Sequence, residues 1–247
     1  MIKFFRRIRQ TLLTENKFSK YLLYAIGEII LVVIGIMIAL QINNWNEEQQ
    51  TAGVLNQFVS EFKKELEYNI QDLERSISLM EFHMEEKKKL LTLTTLETVS
   101  LDSLEAQIES KYINVSYNPT ILRRFENAQI SEYGTYDSVL VKIQEFYGYL
   151  WPEFEKATQW HNKQVDIEDE WWRYAQDRYE LNLANEDQLL VQDSVLRKKE
   201  LLKLLRSTKV RNMLKSDYAR KKRLRPYFDY QMEMAQERLD AVNTLLE

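Results

Sequence analysis

The sequence contains no cysteine, only 5 glycines, only 3 prolines and only 2 histidines among 247 residues. Without cysteine the chain can hold no disulfide, no thiolate zinc site and no cysteine nucleophile. Average proteins have about 7% glycine and about 5% proline. The low content here disfavours a many-stranded sandwich, a propeller and a glycine-rich nucleotide-binding fold. The chain is 45% hydrophobic, 12% aromatic and 29% charged, a composition typical of long helices rather than disorder.

The sequence also lacks the common catalytic motifs. Met80 and Thr158 stand three residues before His83 and His161, so a helical di-iron site of the Glu-x-x-His type is absent. The sequence His83-Met-Glu-Glu86 is not a zinc-protease motif. Neither a Gly-x-Ser-x-Gly motif nor a phosphate-binding loop occurs in the sequence. We therefore expect a non-enzymatic protein without a metal or cofactor.

The strongest positive signal is an apolar run near the N-terminus. Residues 22–42 contain one charge, Glu28, and as a helix they extend for about 31 Å, the thickness of the hydrocarbon core of a bilayer. A signal peptide is the competing interpretation. However, its apolar core is typically ~7–15 residues long, and residues 37–43 offer no clear small-x-small cleavage site. The run predicts a transmembrane helix over residues 21–45.

The flanks of this run predict its orientation. Residues 1–20 carry six basic side chains and one acidic one, whereas residues 43–48 carry acids and asparagines. Basic flanks remain in the cytoplasm, so we expect the bacterial inner membrane, a cytoplasmic N-terminus and residues 46–247 in the periplasm. Residues 1–20 form either an amphipathic segment along the inner leaflet or only a topology signal. The predicted interface anchors are Arg6, Arg7, Arg9, Tyr21, Tyr24 and Trp45.

Residues 17–47, KFSKYLLYAIGEIILVVIGIMIALQINNWNE, resemble the N-terminal signature of an uncharacterised family of single-span membrane proteins from Gram-negative bacteria. This family is domain-of-unknown-function family 6090. The rest of the chain resembles the family only in being helical. The resemblance implies the anchor and its topology, and it implies no activity, ligand or catalytic residue.

Glu28, Gly35 and Ala39 lie on one face of the predicted transmembrane helix. Glu28 and Gly35 are seven residues apart, and Gly35 and Ala39 form a small-xxx-small pair that allows two backbones to approach. An intramembrane glutamate indicates either a proton or ion relay, or helix assembly and snorkelling. Single-span subunits of proton-driven motors use an aspartate and a different outer domain, which favours assembly or snorkelling over the relay.

Beyond the span the pattern is helical. Apolar residues recur at steps of three and four from Leu55 to Met84, which predicts that the first helix continues to about Leu91. Further helices are predicted at 102–112 with Asp102 as the N-cap, from Pro119 to Gly134, at 137–149, from Pro152, at 195–206 and at 209–246 with a bend at Pro226. Asn185 is predicted to open another cap. We expect an all-α fold in which the transmembrane helix continues into an elongated antiparallel bundle.

Aromatic and charged residues of the outer domain predict its surfaces. Trp171 and Trp172 are adjacent and cannot face one direction, and the aromatic residues from 147 to 179 form either core or a ligand surface. Residues 194–225 carry a net charge of +11, and residues 151–187 carry −6. Antiparallel neighbours would neutralise one another. The alternative is an exposed cationic surface for a partner, formed by Arg220, Lys221, Lys222 and Arg223.

Three hypotheses for function follow. The first is a membrane-anchored helical scaffold or interaction subunit that assembles with itself or with another membrane protein. The second is a periplasmic ligand-sensing subunit that needs a partner for output. The third is a proton- or ion-coupled subunit that uses Glu28. The expected partners are the lipid bilayer and a protein; nucleic acid is not expected, and a small-molecule ligand is left open.

Overall fold

A computed structural model describes residues 18–247, and the predictions for Arg6, Arg7 and Arg9 lie outside the described residues. The side chains of Tyr21 and Tyr24 also lie outside them. The described residues form α-helices and no strand, which confirms the all-α prediction. The helices are α1 (Phe18–Thr92), α2 (Leu101–Ile108), α3 (Pro119–Asn127), α4 (Asp137–Glu145), α5 (Trp151–Glu170), α6 (Ser194–Arg206) and α7 (Thr208–Leu246).

The chain divides into two units, Met1–Asn56 and Gln57–Glu247. In the first unit, the described residues belong to α1 and carry the apolar run. The most apolar 18-residue window of this helix has a mean hydropathy of 2.5, and none of it is buried within the protein. A core helix of a water-soluble protein would bury such a surface. The long apolar N-terminal helix is thus one candidate membrane span.

The second unit is a bundle in which α7 runs antiparallel to both α1 and the α4–α5 segment. The direction follows from side-chain pairs, because the residue number on α7 falls as the number on its partner rises. On α4 and α5 the pairs are Lys142 with Glu237 at 3.0 Å and Glu168 with Arg220 at 2.8 Å. On α1 they are Glu81 with Arg225 at 2.9 Å and Lys87 with Asp217 at 3.8 Å. The bundle that follows the long N-terminal helix is confirmed.

The bundle has an aromatic core and an aliphatic core. In the aromatic core, the rings of Phe154 and Phe228 meet edge to face with their centroids 4.7 Å apart. Its other buried members include Phe62, Phe125, Phe146, Tyr147 and Trp151. The aliphatic core comprises Leu90, Leu96, Leu104, Ile108, Trp172, Tyr179, Leu201, Leu204, Leu205, Val210 and Leu214. Most of the aromatic residues considered for a ligand surface therefore form core, while Tyr149, Trp160 and Tyr174 are exposed.

The observed start and end of α2 differ from the predicted ones. The N-cap of α2 is Ser100, not Asp102, because the Ser100 hydroxyl accepts a hydrogen bond from the backbone N–H of Ser103 at 3.2 Å. The helix then ends at Ile108 rather than at residue 112. The observed N-cap therefore lies two residues before the predicted one.

Two further boundaries differ from the predictions. Helix α3 ends at Asn127, and Gly134 instead opens a short 3-10 turn with φ +56°, a conformation that glycine adopts without strain. No α-helix starts at Asn185. Helix α6 is capped by Asp193, whose Oδ1 accepts a hydrogen bond from the Leu196 N–H at 2.8 Å.

Pro119 lies in the first turn of α3, as predicted, and Pro152 lies in the first turn of α5. The five residues before α5, Phe146–Leu150, and the five after it, Trp171–Ala175, are π-helical. Such segments interrupt an α-helix locally and re-aim its side chains. The second one carries the chain from α5 into an irregular segment that lines the cavity described below.

Candidate functional site

The predicted residues of the span lie on a helix surface that the chain leaves open. Gly35 and Ala39 are exposed, and Glu28 is half-buried. Beyond the nearby backbone of its own helix, a Cβ atom added to Gly35 would meet no atom within 4 Å. The interface anchor Trp45 is 62% exposed. No second helix packs on this surface within the described chain, so its role in assembly or relay stays a prediction.

The predicted cationic surface is corrected by the structure. Arg220 is 2% exposed and Lys221 is 1% exposed, while Lys222 and Arg223 are exposed. Consecutive helical residues point about 100° apart, so a run of four cations on one helix cannot all face solvent when one side of that helix is buried. The run therefore does not form one exposed patch.

Trp171 and Trp172 also separate. Trp172 is 6% exposed within the aliphatic core, whereas Trp171 is half-buried. The two rings meet at 5.1 Å in an edge-to-face arrangement, and the Lys209 ammonium lies 5.8 Å from the centroid of the Trp171 ring. Only Trp171 retains a surface that a partner could reach.

The inward cations belong to a cluster that we call the buried charge layer: Lys87, Glu168, Asp217, Arg220 and Lys221. Arg220 holds Glu168 through two hydrogen bonds of 2.8 Å. Lys221 donates to both carboxylate oxygens of Asp217 at 2.6 and 2.7 Å. Lys87 lies 3.8 Å from Asp217. Three cations and two carboxylates thus meet where α1, α5 and α7 come together.

Lys87 also completes the end of α2. Its ammonium donates to the backbone carbonyls of Gln107 at 2.7 Å, Ile108 at 2.8 Å and Glu109 at 2.8 Å. These carbonyls lie at the C-terminus of α2, where the last groups have no intrahelical partner and the helix dipole is negative. A single buried lysine therefore joins α1 to the end of α2 and, through Asp217, to α7.

The layer separates the two apolar cores along each long helix. On α7 the order is Phe228, then Arg220 and Asp217, then Leu214. The same order holds along α5 and the π-helical segment after it, where Glu168 lies between Phe154 and Trp172. Sliding one helix along another would leave a charge unpaired in apolar surroundings, which is costly. The layer therefore opposes sliding of α1 and α5 along α7.

Burial in the layer shifts the protonation of its bases. Burial lowers the pKa of Lys87 to about 8, although Asp217 opposes this shift. Burial also lowers the pKa of Lys221, again against Asp217. The pKa values of His83 and His161 are lowered mainly by burial and partly by Lys221, which keeps both imidazoles neutral at neutral pH. The site is therefore rich in bases held below their ordinary affinity for protons.

The depressed pKa of Lys87 gives a pH dependence of stability with a definite sign. Lys87 titrates near pH 8 in the folded chain but near 10.5 when unfolded. Between these values the unfolded chain binds more protons, so stability rises with pH. From pH 7.5 to 9.5 we expect a gain of about 2 kcal/mol from this group. Urea unfolding of the wild type and of Lys87→Met at pH 7.5 and at pH 9.5 measures this gain in stability.

In this comparison, the tyrosines titrate in both proteins and cancel in the difference. As the pH rises, the free energy of unfolding of the wild type should increase relative to that of Lys87→Met. A difference between the two proteins that does not change with pH would contradict the lowered pKa of Lys87.

A cavity of about 620 Å³ adjoins the layer, and we call it the His83 cavity. One wall comes from the last turns of α1, a second from α2 and the residues after it, and a third from the irregular segment after α5. Its lining combines charges of both signs with apolar and amide side chains. The residues are Phe82, His83, Glu86, Lys87, Ser103, Glu105, Ala106, Gln107, Ile108, Glu109, Lys111, Arg173, Tyr179, Leu181, Asn182, Leu183 and Asn185.

The irregular wall of the cavity is ordered by side chains that bond to the backbone. Gln176 Oε1 accepts the N–H groups of Arg178 at 3.1 Å and Tyr179 at 2.9 Å. Glu180 Oε2 accepts the N–H groups of Val191 at 2.9 Å and Gln192 at 2.7 Å. These bonds replace the ladder of a helix or sheet, so the wall keeps its form without regular secondary structure.

One polar group of the cavity is not fully used. Gln107 Oε1 is buried and has no hydrogen-bond partner, while its amide nitrogen donates to Glu86 at 2.8 Å. Arg173 pairs through Nε with Asp169 at 2.7 Å. Within residues 18–247, no group of three or more His, Asp or Glu side chains could hold a metal ion. The cavity therefore offers hydrogen bonds and charges rather than metal ligands.

The residues of the layer and the cavity were missed by sequence reasoning, although a signal existed. Lys87 follows Met80 and Met84 on the apolar stripe of α1, and Asp217 follows Leu214 on the buried side of α7. A charge at a core position of a helical stripe indicates a buried ion pair. Its partner lies on another helix, which no local pattern reveals.

The chain matches one family model. Residues 28–136 match the family of unknown function DUF6090, which confirms the resemblance seen in the N-terminal residues. The match extends beyond the span through α2 and α3, so it includes two of the three walls of the His83 cavity. No curated protein and no solved structure matches the chain.

Proposed function

We propose that this DUF6090-like chain is a membrane-anchored, non-enzymatic interaction subunit. The apolar part of α1 spans the bacterial inner membrane, residues 1–20 stay in the cytoplasm, and the bundle lies in the periplasm. The face of the span with Gly35 and Ala39 assembles with a second copy or with another membrane protein.

The observation that carries this proposal is the unburied apolar window of α1. A surface of this length and hydropathy that no part of the protein covers is unfavourable in water, and a bilayer is the surrounding that relieves it. The open surface at Gly35 supports close helix packing, since a small residue lets a second backbone approach. The basic side chains of residues 1–20 support a cytoplasmic N-terminus.

Washing membranes at alkaline pH tests the anchor. The wild type should stay in the membrane pellet. A double variant, Leu31→Asp with Ile34→Asp, should move to the soluble fraction or fail to insert, because each aspartate at the centre of a span costs about 2.5–3.5 kcal/mol. Both positions are exposed on α1, so neither change removes packing within the chain.

The matched control places the same charges on the bundle, as Tyr227→Asp with Tyr230→Asp, two exposed positions of α7. This control should stay in the pellet. Release of the wild type by the wash, or retention of the double variant in the span, would overturn the anchor.

A second candidate function, ligand sensing by the bundle, is favoured by the His83 cavity. Its lining includes His83, Glu86 and Lys87 of α1, the helix that also carries the candidate span. A ligand that binds these side chains would act directly on α1. Any output would require a partner protein.

A further inference from the structure

We propose that His161 is an acid-sensitive latch, in which the neutral imidazole keeps residues 109–118 on α5 and protonation of the ring releases them. These residues, which we call the strap, connect α2 to α3 without regular secondary structure. The latch goes beyond the proposed function, since it makes one contact of the bundle depend on pH. It does not depend on whether α1 spans a membrane, and it needs no ligand in the His83 cavity.

The strap is held on α5 by side chains rather than by a backbone ladder. Asn162 Oδ1 accepts a hydrogen bond from the Ile113 N–H at 2.9 Å, and Asn162 Nδ2 donates to the Ile113 carbonyl at 3.0 Å. Two hydroxyl groups of the strap donate hydrogen bonds of 2.6 Å to carboxylates of α5: Tyr112 to Asp166 and Ser110 to Glu168. Side chains of one helix therefore fix the path of the strap.

His161 is the most deeply buried of the α5 side chains that bond to the strap, and none of its surface is exposed. Its Nε2 atom lies 3.1 Å from the carbonyl oxygen of Lys111. Because a carbonyl only accepts, Nε2 carries the proton of the neutral ring. Its Nδ1 atom is buried and has no hydrogen-bond partner among the described residues. A second proton would be bound at Nδ1, where no acceptor receives it, and an unpaired buried charge is costly.

The ring also lies beside the buried charge layer, in which three cations face two carboxylates. Burial lowers the pKa of His161, against the hydrogen bond to Lys111. Lys221 and Arg220 lower this pKa further, whereas Asp217 raises it. The titratable groups around the ring come from α1, the strap, α5 and α7, in that order His83 and Lys87, Lys111, Glu168, and Asp217, Arg220 and Lys221. These surroundings favour the neutral ring.

The burial of His161 gives the latch a definite response to acid. Histidine has an ordinary pKa of 6.5, and the pKa of His161 in the folded chain lies below it. Below pH 6.5 a ring released into water therefore binds a proton that the buried ring does not bind, so each pH unit favours release by up to tenfold. Ordinary carboxyl groups stay charged at pH 5.5. From pH 7.5 to 5.5 the population of the released strap should rise about tenfold.

Hydrogen exchange of the full chain in lipid nanodiscs, followed by mass spectrometry at pH 7.5 and 5.5, tests the latch. After correction for the chemical pH dependence of amide exchange, peptides that contain Ile113 should lose about tenfold in protection at pH 5.5, because protection reports local opening. Peptides from residues 224–232 of α7 should lose much less. Unchanged protection of the strap would overturn the inference. An equal loss in α7 would also overturn it, since the whole bundle would then open.

Two variants assign the response to one ring. His161→Gln removes the titrating group and keeps an amide N–H that can donate to Lys111, so protection of the strap should differ by less than about twofold between the two pH values. The control, His83→Gln, removes the half-buried histidine of α1 and should retain the tenfold response. A full response in His161→Gln, or its loss in His83→Gln alone, would contradict the latch. The wild-type measurement does not depend on the folding of either variant.

Discussion

Replacing Asp217 by asparagine is expected to lower the free energy of unfolding by about 3–5 kcal/mol. Asp217 is fully buried and holds Lys221 through two short hydrogen bonds, with Lys87 nearby at 3.8 Å. Asparagine keeps the shape of the side chain but removes the charge. Two ammonium groups would then share the layer with Glu168 alone, which is already held by Arg220.

Urea unfolding of the purified chain in mild detergent, followed by circular dichroism, measures this loss. The matched control is Asp240→Asn, an exposed position of the same helix whose carboxylate accepts a hydrogen bond from Gln236; it should change stability by less than about 0.5 kcal/mol. The cost of Asp217→Asn should also shrink at pH 9.5, where Lys87 loses its proton. A cost equal to that of the control would show that the layer is not a paired buried cluster.

Replacing Phe228 by alanine is expected to lower the free energy of unfolding by about 3–5 kcal/mol. Phe228 is fully buried on α7, and its ring meets that of Phe154 at 4.7 Å. Removing the ring leaves a cavity that the surrounding helices can fill only in part. It also removes the edge-to-face contact that joins α7 to α5 in the aromatic core.

The same unfolding measurement applies, with Tyr230→Ala as the control. Tyr230 lies on the same helix and is 50% exposed, so its loss should cost much less. The loss of unfolding free energy in Phe228→Ala should not depend on pH, unlike the loss in Asp217→Asn. The substitution of Phe228 neither removes a titrating group nor exposes one. Similar small costs for both aromatic positions would contradict the assignment of Phe228 to the core.

The long helices were predictable because their apolar residues recur at regular helical spacing over many turns. Apolar residues from Leu55 to Met84 recur at helical steps, and α1 ends at Thr92, one residue beyond the predicted Leu91. Helix α6 begins at Ser194 and α7 at Thr208, each one residue before the predicted start. The apolar run of the span is likewise a local property of the sequence, so its helix needed no knowledge of the rest of the fold.

The layer and the cavity could not be predicted in the same way. The sequence contains the cations of α7, but whether Arg220 faces solvent depends on which side α5 and α1 cover. The wall after α5 is shaped by Gln176 and Glu180, whose bonds to backbone N–H groups leave no periodic pattern. Both features depend on contacts between residues far apart in the chain, where local pattern carries little information.

The separation of acidic and basic stretches along the sequence was more informative about the structure than the run of four cations that begins at residue 220. An acidic stretch before α6 and a basic stretch within α6 and α7 predicted neutralisation between antiparallel neighbours. The pair of Glu168 with Arg220 is of this kind, whereas Arg197 pairs with Glu105, which lies on α2 outside the acidic stretch. The alternative, one exposed cationic surface, required all four cations of the run at residue 220 to face outward, which one face of a helix does not allow.

Labelling of single cysteines in intact cells tests the central claim most directly, because the native sequence has no cysteine and gives no background. One variant carries Ser194→Cys, at an exposed position of the bundle, and the other carries Lys17→Cys, before the span. With a maleimide that does not cross the inner membrane, the proposal predicts that Ser194→Cys is labelled in intact spheroplasts and that Lys17→Cys is labelled only after lysis. Labelling of Lys17→Cys alone, or of neither variant before lysis and both after it, would contradict a span that places the bundle outside the cytoplasm.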